Sequence, residues 1–158
     1  MPKVKFCWDA CIFIAHLKGE QRSADETAGL HEVLELVLTK QAAILTSSLI
    51  SSEVLNRAAD QLMARTRLKE MLNRPGFAVI DANMAVSDKA GVLRERVNES
   101  SLGLNLKRND AIYVATAILY KVDALHTFDP VLLALDRHSL VEGLTIAKPH
   151  GVQTTLGL

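Results

Sequence analysis

Apolar residues fall along this chain in two rhythms: short unbroken runs, and longer stretches where they recur every three or four positions. The runs KVKFCW (3–8), AAILTS (42–47), FAVIDA (77–82), ALHT (124–127) and LTIA (144–147) predict five buried strands. ACIFIAHLK (10–18) predicts a helix starting directly after the first strand. Leu30, Val33, Leu34, Val37 and Leu38 lie at helical spacing behind Ser23 and Glu26, which together form a capping box. A helical pattern runs from about Ser48 through Asn73, and Pro75-Gly76 ends it. Residues 84–100 predict a helix exposed on one side, with Arg94, Glu95 and Arg96 outward. NDAIYVATAILYK (109–121) is apolar nearly all round, as a helix buried on most faces would be. Pro130 opens a short helix, and the tail after Pro149 is expected to be mobile. Strands alternating with helices give the fold class: α/β, one domain over 1–148 with a central parallel sheet of about five strands flanked by helices, then a tail over 149–158.

Composition changes this picture little. A chain of 158 residues, 49% of them apolar, can bury a single substantial core. Lys plus Arg equals Asp plus Glu at 18 each, so any polyanionic partner must be met by a local basic patch rather than by net charge. Cys7 and Cys11 flank a strand-to-helix junction, which seldom brings two sulfurs into bridging geometry. With His16 they would still lack a fourth zinc ligand, so they are expected to be buried free thiols in a reducing compartment. No run is long enough to cross a membrane, and Asp9 interrupts the only signal-like apolar stretch, so the expected location is cytoplasmic.

The candidate chemistry lies in four acids. Asp9 sits inside FCWDACIFIAH at the carboxyl end of the first strand, where parallel α/β sheets bind their ligands. Glu53 lies early in the helix after the second strand, Asp110 opens the buried helix, and Asp129 ends the fourth strand. Each aspartate is also what a helix terminus asks for, Asp129 before Pro130 most plainly, and Asn109 is available to cap the helix that holds Asp110. Glu53 is not a cap by position; on periodicity alone it could equally be an exposed helical glutamate. Gathered in one crevice, the four would repel: two carboxylates ~5 Å apart cost on the order of 3 kcal/mol at an effective dielectric near 20. They would then bind protons or a cation, and helix N-termini favour the ionised form and hence the cation. An all-oxygen ligand set selects Mg²⁺ or Mn²⁺, whose natural chemistry is phosphodiester hydrolysis.

In order and setting, CWDACIFI, ISSEVL, NDAIYVATA and TFDP resemble the PIN-domain family, and at this size the VapC-type toxin ribonucleases. The resemblance covers most of residues 4–147. It implies that Asp9, Glu53, Asp110 and Asp129 surround one or two Mg²⁺ or Mn²⁺ ions, and that Thr127 orders water or a carboxylate beside them. It also implies cleavage of single-stranded RNA, a five-strand parallel sheet, a homodimer, and a separate antitoxin that blocks the acidic crevice. One departure is Ala10, where the family commonly follows its first acid with serine or threonine. Phe6, Trp8 and Phe13 are expected in the core rather than as a base-stacking platform. The basic residues Arg57, Lys107 and Arg108, and further along Arg65, Arg67 and Lys69, are expected to be solvated helix faces. The five histidines form no ligand spacing.

Two other readings compete. A phospho-accepting receiver domain would use Asp81 after the third strand, Thr127 after the fourth and Lys148-Pro149 after the fifth. It would leave Glu53 and Asp110 without a role and needs an acid pair where Asp9 stands alone. A non-catalytic scaffold that binds RNA or protein keeps the fold and drops the chemistry.

Overall fold

The computed structural model describes residues 4–54 and 61–151. Among them five strands form one parallel sheet: β1 (Val4–Trp8), β2 (Ala42–Ser47), β3 (Phe77–Ile80), β4 (Ala124–His126) and β5 (Ile146–Ala147). Their order is β3-β2-β1-β4-β5, so the chain begins at the centre, builds outward to β3, then returns to add β4 on the other side of β1. The three inner strands are apolar without alternation because both faces are covered. Phe6, Cys7, Trp8, Ile44 and Leu125 are fully buried. At the edge β3 keeps the same apolar composition with only one paired side, and Val79 remains 43% exposed.

Seven α-helices wrap the described sheet. The first, α1 (Ala10–Lys18), ends at Gly19, whose φ of 60° suits a left-handed C-cap and lets its N–H return to the Ala15 carbonyl. In α2 (Ala24–Leu38) the Ser23 hydroxyl accepts from the Glu26 N–H, as the capping box predicts. The stretch expected as one helix from Ser48 to Asn73 holds α3 (Ile50–Val54) and α4 (Gln61–Leu72); residues 55–60, including Arg57, lie outside the described residues. Then come α5 (Met84–Glu99), α6 (Arg108–Leu119) and α7 (Pro130–Leu133). As its all-round apolar pattern requires, α6 lies over β1, β2 and β4 and carries α5 on its outer side. Its cap differs from expectation: Lys107, not Asn109, occupies the N-cap, without a side-chain hydrogen bond.

One other expectation changes. The strand predicted over 144–147 shrinks to Ile146–Ala147, because a 3-10 turn over Ser139–Val141 and the positive φ angles of Glu142 and Gly143 still bend the chain at Leu144. Of the tail expected over 149–158, residues 152–158 lie outside the described residues. Residues 148–151 form a strap along α2, with Lys148 Nζ 3.1 Å from Glu26 Oε2 and the Gly151 N–H donating to Glu32 Oε2 at 2.8 Å. Between these ties Pro149 is buried, and its carbonyl approaches Gly29 so closely that a Cβ there would sit 2.0 Å from the oxygen. In an open helix Gly→Ala stabilises by about 1 kcal/mol. Here Gly29→Ala is expected to lower stability by roughly 1–3 kcal/mol through overpacking against backbone. Thermal denaturation checks this, and a higher Tm would show that the strap yields at no cost.

Candidate active site

The register Trp8↔His126 between β1 and β4 places the next residue of each strand, Asp9 and Thr127, side by side where strand order reverses. Thr127, fully buried, donates from Oγ1 to Asp9 Oδ2 at 2.5 Å and accepts from the Asp129 N–H at 3.0 Å. Asp9 is only 4% exposed, and its Oδ1 accepts from Cys11 Sγ at 2.9 Å and, at 3.4 Å, from the Ile12 N–H of the helix it caps. Cys11 in turn accepts from the Phe128 N–H at 3.2 Å. A closed set of hydrogen bonds thus locks the β1 and β4 ends together. Sequence reasoning placed Cys11 among buried free thiols; it is free but only half-buried, and it supplies the donor that Ala10 cannot. The available signal was its position two residues after a helix-capping aspartate.

The other acids arrive on separate elements. Asp129 caps α7, its Oδ1 accepting from Val131 N at 2.7 Å and Leu132 N at 3.4 Å. Asp110 stands in the first turn of α6, and Glu53 in the first turn of α3. Asp9, Glu53, Asp110 and Asp129 all line one cleft of about 830 Å³, together with Lys107, Arg108 and Arg94. Thr127 lies just behind, bonded to Asp9. Arg94 was expected outward; it is half-buried and faces this cleft. The other basic candidates stand apart from it: Arg65 and Lys69 are exposed on α4, and Arg67 donates to the Leu17 carbonyl.

Burial and mutual negative charge raise the proton affinity of three acids. Burial pushes Asp9 up to about 6 and Asp110 adds to the rise, while the Cys11, Thr127 and Ile12 hydrogen bonds hold it down. Glu53 rises to about 7, through burial first and then through Asp110 and Asp9. The nearby Tyr113 hydroxyl opposes that rise, yet the two miss hydrogen-bonding geometry: Glu53 Oε1 and Tyr113 Oη both end buried without a partner. Asp110 is raised by burial and by Asp129, and Lys107 tempers it. No histidine lines the cleft among the described residues. His126, behind it, accepts from Trp8 Nε1 through Nδ1 at 3.1 Å, and burial pushes its pKa down to about 3. It is a neutral core residue.

Would these residues suit a divalent cation? Among the described residues no three His, Cys, Asp or Glu side chains already form a ligand cage. The cleft instead offers four carboxylates from four elements, three of them with raised proton affinity, and one buried oxygen of Glu53 without a partner. A hard divalent cation would answer both features, so the donor set fits such an ion.

Topology also decides against the receiver arrangement. Asp81 follows β3 at the sheet edge, with two strands between it and β4, and is exposed; Thr127 is committed to Asp9, and Lys148 to Glu26 on α2.

An open parallel sheet with an acid-lined cleft at its switch point defines an α/β domain built to work at the carboxyl ends of β1 and β4. The PIN domain family model matches residues 6–138, and the chain belongs to that family. Its fold is similar to that of VapBC2 from Rickettsia felis, solved bound to a DNA fragment from their promoter. That match has a TM-score of 0.67 and 18% identity and covers 90% of this chain and 97% of that one. It is also similar to Mycobacterium tuberculosis VapC20, described as a Sarcin-Ricin loop cleaving toxin, with a TM-score of 0.58 and 16% identity, over 82% and 94% of the two chains. At these identities the likeness is one of fold. No curated protein matches the sequence.

The raised carboxyls set the pH dependence of the metal-free chain. The folded state keeps a proton on Asp9 to about pH 6 and on Glu53 to about pH 7, whereas the unfolded chain releases both near 4. The stability these two carboxyls contribute is therefore fully present at about pH 4 and below, falls as pH rises to about 7, and levels off above. The share of Asp9 is about 3 kcal/mol, and that of the half-buried Glu53 is smaller. Urea unfolding in a chelator at pH 4 and pH 8, compared with Asp9→Asn, reads nearly all of that share. Identical pH slopes in parent and variant would remove the claim that ionised Asp9 is costly.

Proposed function

We propose that this protein is a Mg²⁺- or Mn²⁺-dependent endoribonuclease acting on single-stranded RNA, and the toxin of a VapBC-type toxin–antitoxin pair. The observation that carries the reading is the meeting of Asp9, Glu53, Asp110 and Asp129, from four separate elements, in one cleft at the switch point. Family membership and the folds of VapBC2 and VapC20 support it. The partner is a separate antitoxin that covers the acidic cleft, and the working unit is a homodimer in the cytoplasm.

Asp9, Glu53, Asp110 and Asp129 would hold the cation, which when bound supplies positive charge to phosphate oxygens and acidity to an attacking water. Asp9 is aimed by two donors, Thr127 Oγ1 and Cys11 Sγ, and so needs no rearrangement to present its charge. A carboxylate of this cluster can accept the proton of the attacking water as the P–O bond opposite breaks and the leaving oxygen takes a proton from solvent. Thr127 is a positioning residue; its hydroxyl touches Asp9 and the backbone of Asp129.

The test pairs cleavage with a binding readout. Mn²⁺ is expected to raise the Tm of the parent at pH 8 and to support cutting of single-stranded RNA. Asp9→Asn should lose most of the Tm response and about 100-fold or more of the cleavage rate, while folding at least as well as the metal-free parent. Equal cleavage by both proteins at saturating Mn²⁺ would falsify the assignment.

A further inference from the structure

Beside the acidic cleft lies a second hollow of about 250 Å³ between α5 and α6, and Arg94 and Arg108 line both. Its floor is made of small or slender side chains, Ser87, Ala90, Gly91, Ala111 and Ile112. Gly91 leaves it open: a Cβ there would meet nothing within 4 Å. Glycine inside a helix costs stability, and this one supports no tight packing.

The two arginines at the mouth differ in how they are held. Arg94 is anchored through Nε to the Leu106 carbonyl at 3.1 Å. Asn98 grips the same residue twice, accepting from Leu106 N at 2.7 Å and donating to Leu106 O at 3.3 Å. The segment before α6 is therefore tied to α5, and among the described residues the Arg94 Nη donors make no hydrogen bond or ion pair. Arg108 opens α6 and is exposed. Neither arginine forms an ion pair among the described residues, although four acids share the cleft, and Arg94 is not among the charges that shift Asp9, Glu53 or Asp110. Their donors are left for a ligand.

We propose that this hollow is a nucleotide subsite: Arg94 and Arg108 hold the phosphate next to the one being cleaved, and the base of that nucleotide lies over the Ala90-Gly91 floor against a guanidinium plane. The inference rests on the nuclease reading and adds to it a site for a neighbouring nucleotide of the same strand. Its chemistry is general. A phosphate entering an acid-lined cleft needs cations beside it, planar guanidinium both binds phosphate in a forked geometry and stacks on bases, and small residues leave room for a ring. Substrate grip is thereby separated from the carboxylates.

The experiment measures binding of a fluorescein-labelled eight-nucleotide single-stranded RNA, across a salt series, by Asp9→Asn protein with and without one further change. Gly91→Leu, which fills the hollow, is expected to weaken binding about tenfold with an unchanged salt slope, as loss of one stacked base would. Arg94→Gln should weaken it comparably and also flatten the slope of log K against log salt by about 0.7, the signature of one lost phosphate contact. Asn98→Ala, which loosens Leu106 but keeps the charge, separates a structural role from a contact: it should leave the slope alone. The proposal is overturned if Gly91→Leu and Arg94→Gln bind like the parent, if Arg94→Gln behaves like Asn98→Ala, or if the Asp9→Asn protein binds no RNA. It is also overturned if Gly91→Leu changes the oligomeric state by size-exclusion chromatography instead, since the hollow would then belong to a contact between copies of this chain. Failure of the nuclease reading looks different: the unsubstituted chain would leave RNA uncut in Mn²⁺ while the binding differences persisted.

Discussion

The pairing of β1 with β4 in parallel register is the constraint on which the site depends. Because Trp8 lies opposite His126, the residue after each must emerge at the same level, and these are Asp9 and Thr127. Asp9 is then nearly enclosed, a position no ionised carboxylate holds without donors. Thr127, Cys11 and the start of α1 provide them, and the cation-seeking character of the cleft follows from what they leave unmet. Slip the register by one residue and the aspartate would lose its hydroxyl partner and face an alternate side of the sheet.

Much of this was legible along the chain because burial on both faces leaves a strong mark. The inner strands read as largely apolar runs, and α6 as a largely apolar helix, for the same reason: few polar groups are tolerated there, and those present, such as Thr46 and His126, are hydrogen-bonded. FAVIDA (77–82) carried an identical signature for a different situation, since β3 is an edge strand with Val79 in water. Composition cannot say which strand is outermost; only the order of pairing does. The receiver alternative failed at that point. It needed Asp81 near Thr127, and the return of the chain to β4 put two strands between them.

The acids were visible as acids at element ends, but their gathering was not, because it depends on pairs such as Cys11 with Phe128 that are 117 positions apart. Helix-capping and cleft-lining are also not exclusive. Asp129 accepts the α7 capping hydrogen bonds through one oxygen and still borders the cleft, and Asp9 caps α1 while being the most enclosed acid of the set. The choice between a terminus residue and a functional one, posed by sequence position, was therefore a false one at these two places. Arg94 was misread for a related reason. Its neighbours Glu95 and Arg96 are exposed, and one helical residue turns inward only because Leu106 offers it a carbonyl.

Trp8 has a use of its own. It is the single tryptophan of the chain, sealed from solvent, joined through its indole to His126 and followed directly by Asp9. Its emission therefore comes from one known place, the seam between the two central strands. A change in how the carboxylates beside that seam are neutralised would alter the field around the indole. The molecule carries its own optical gauge of the cleft, with no label added.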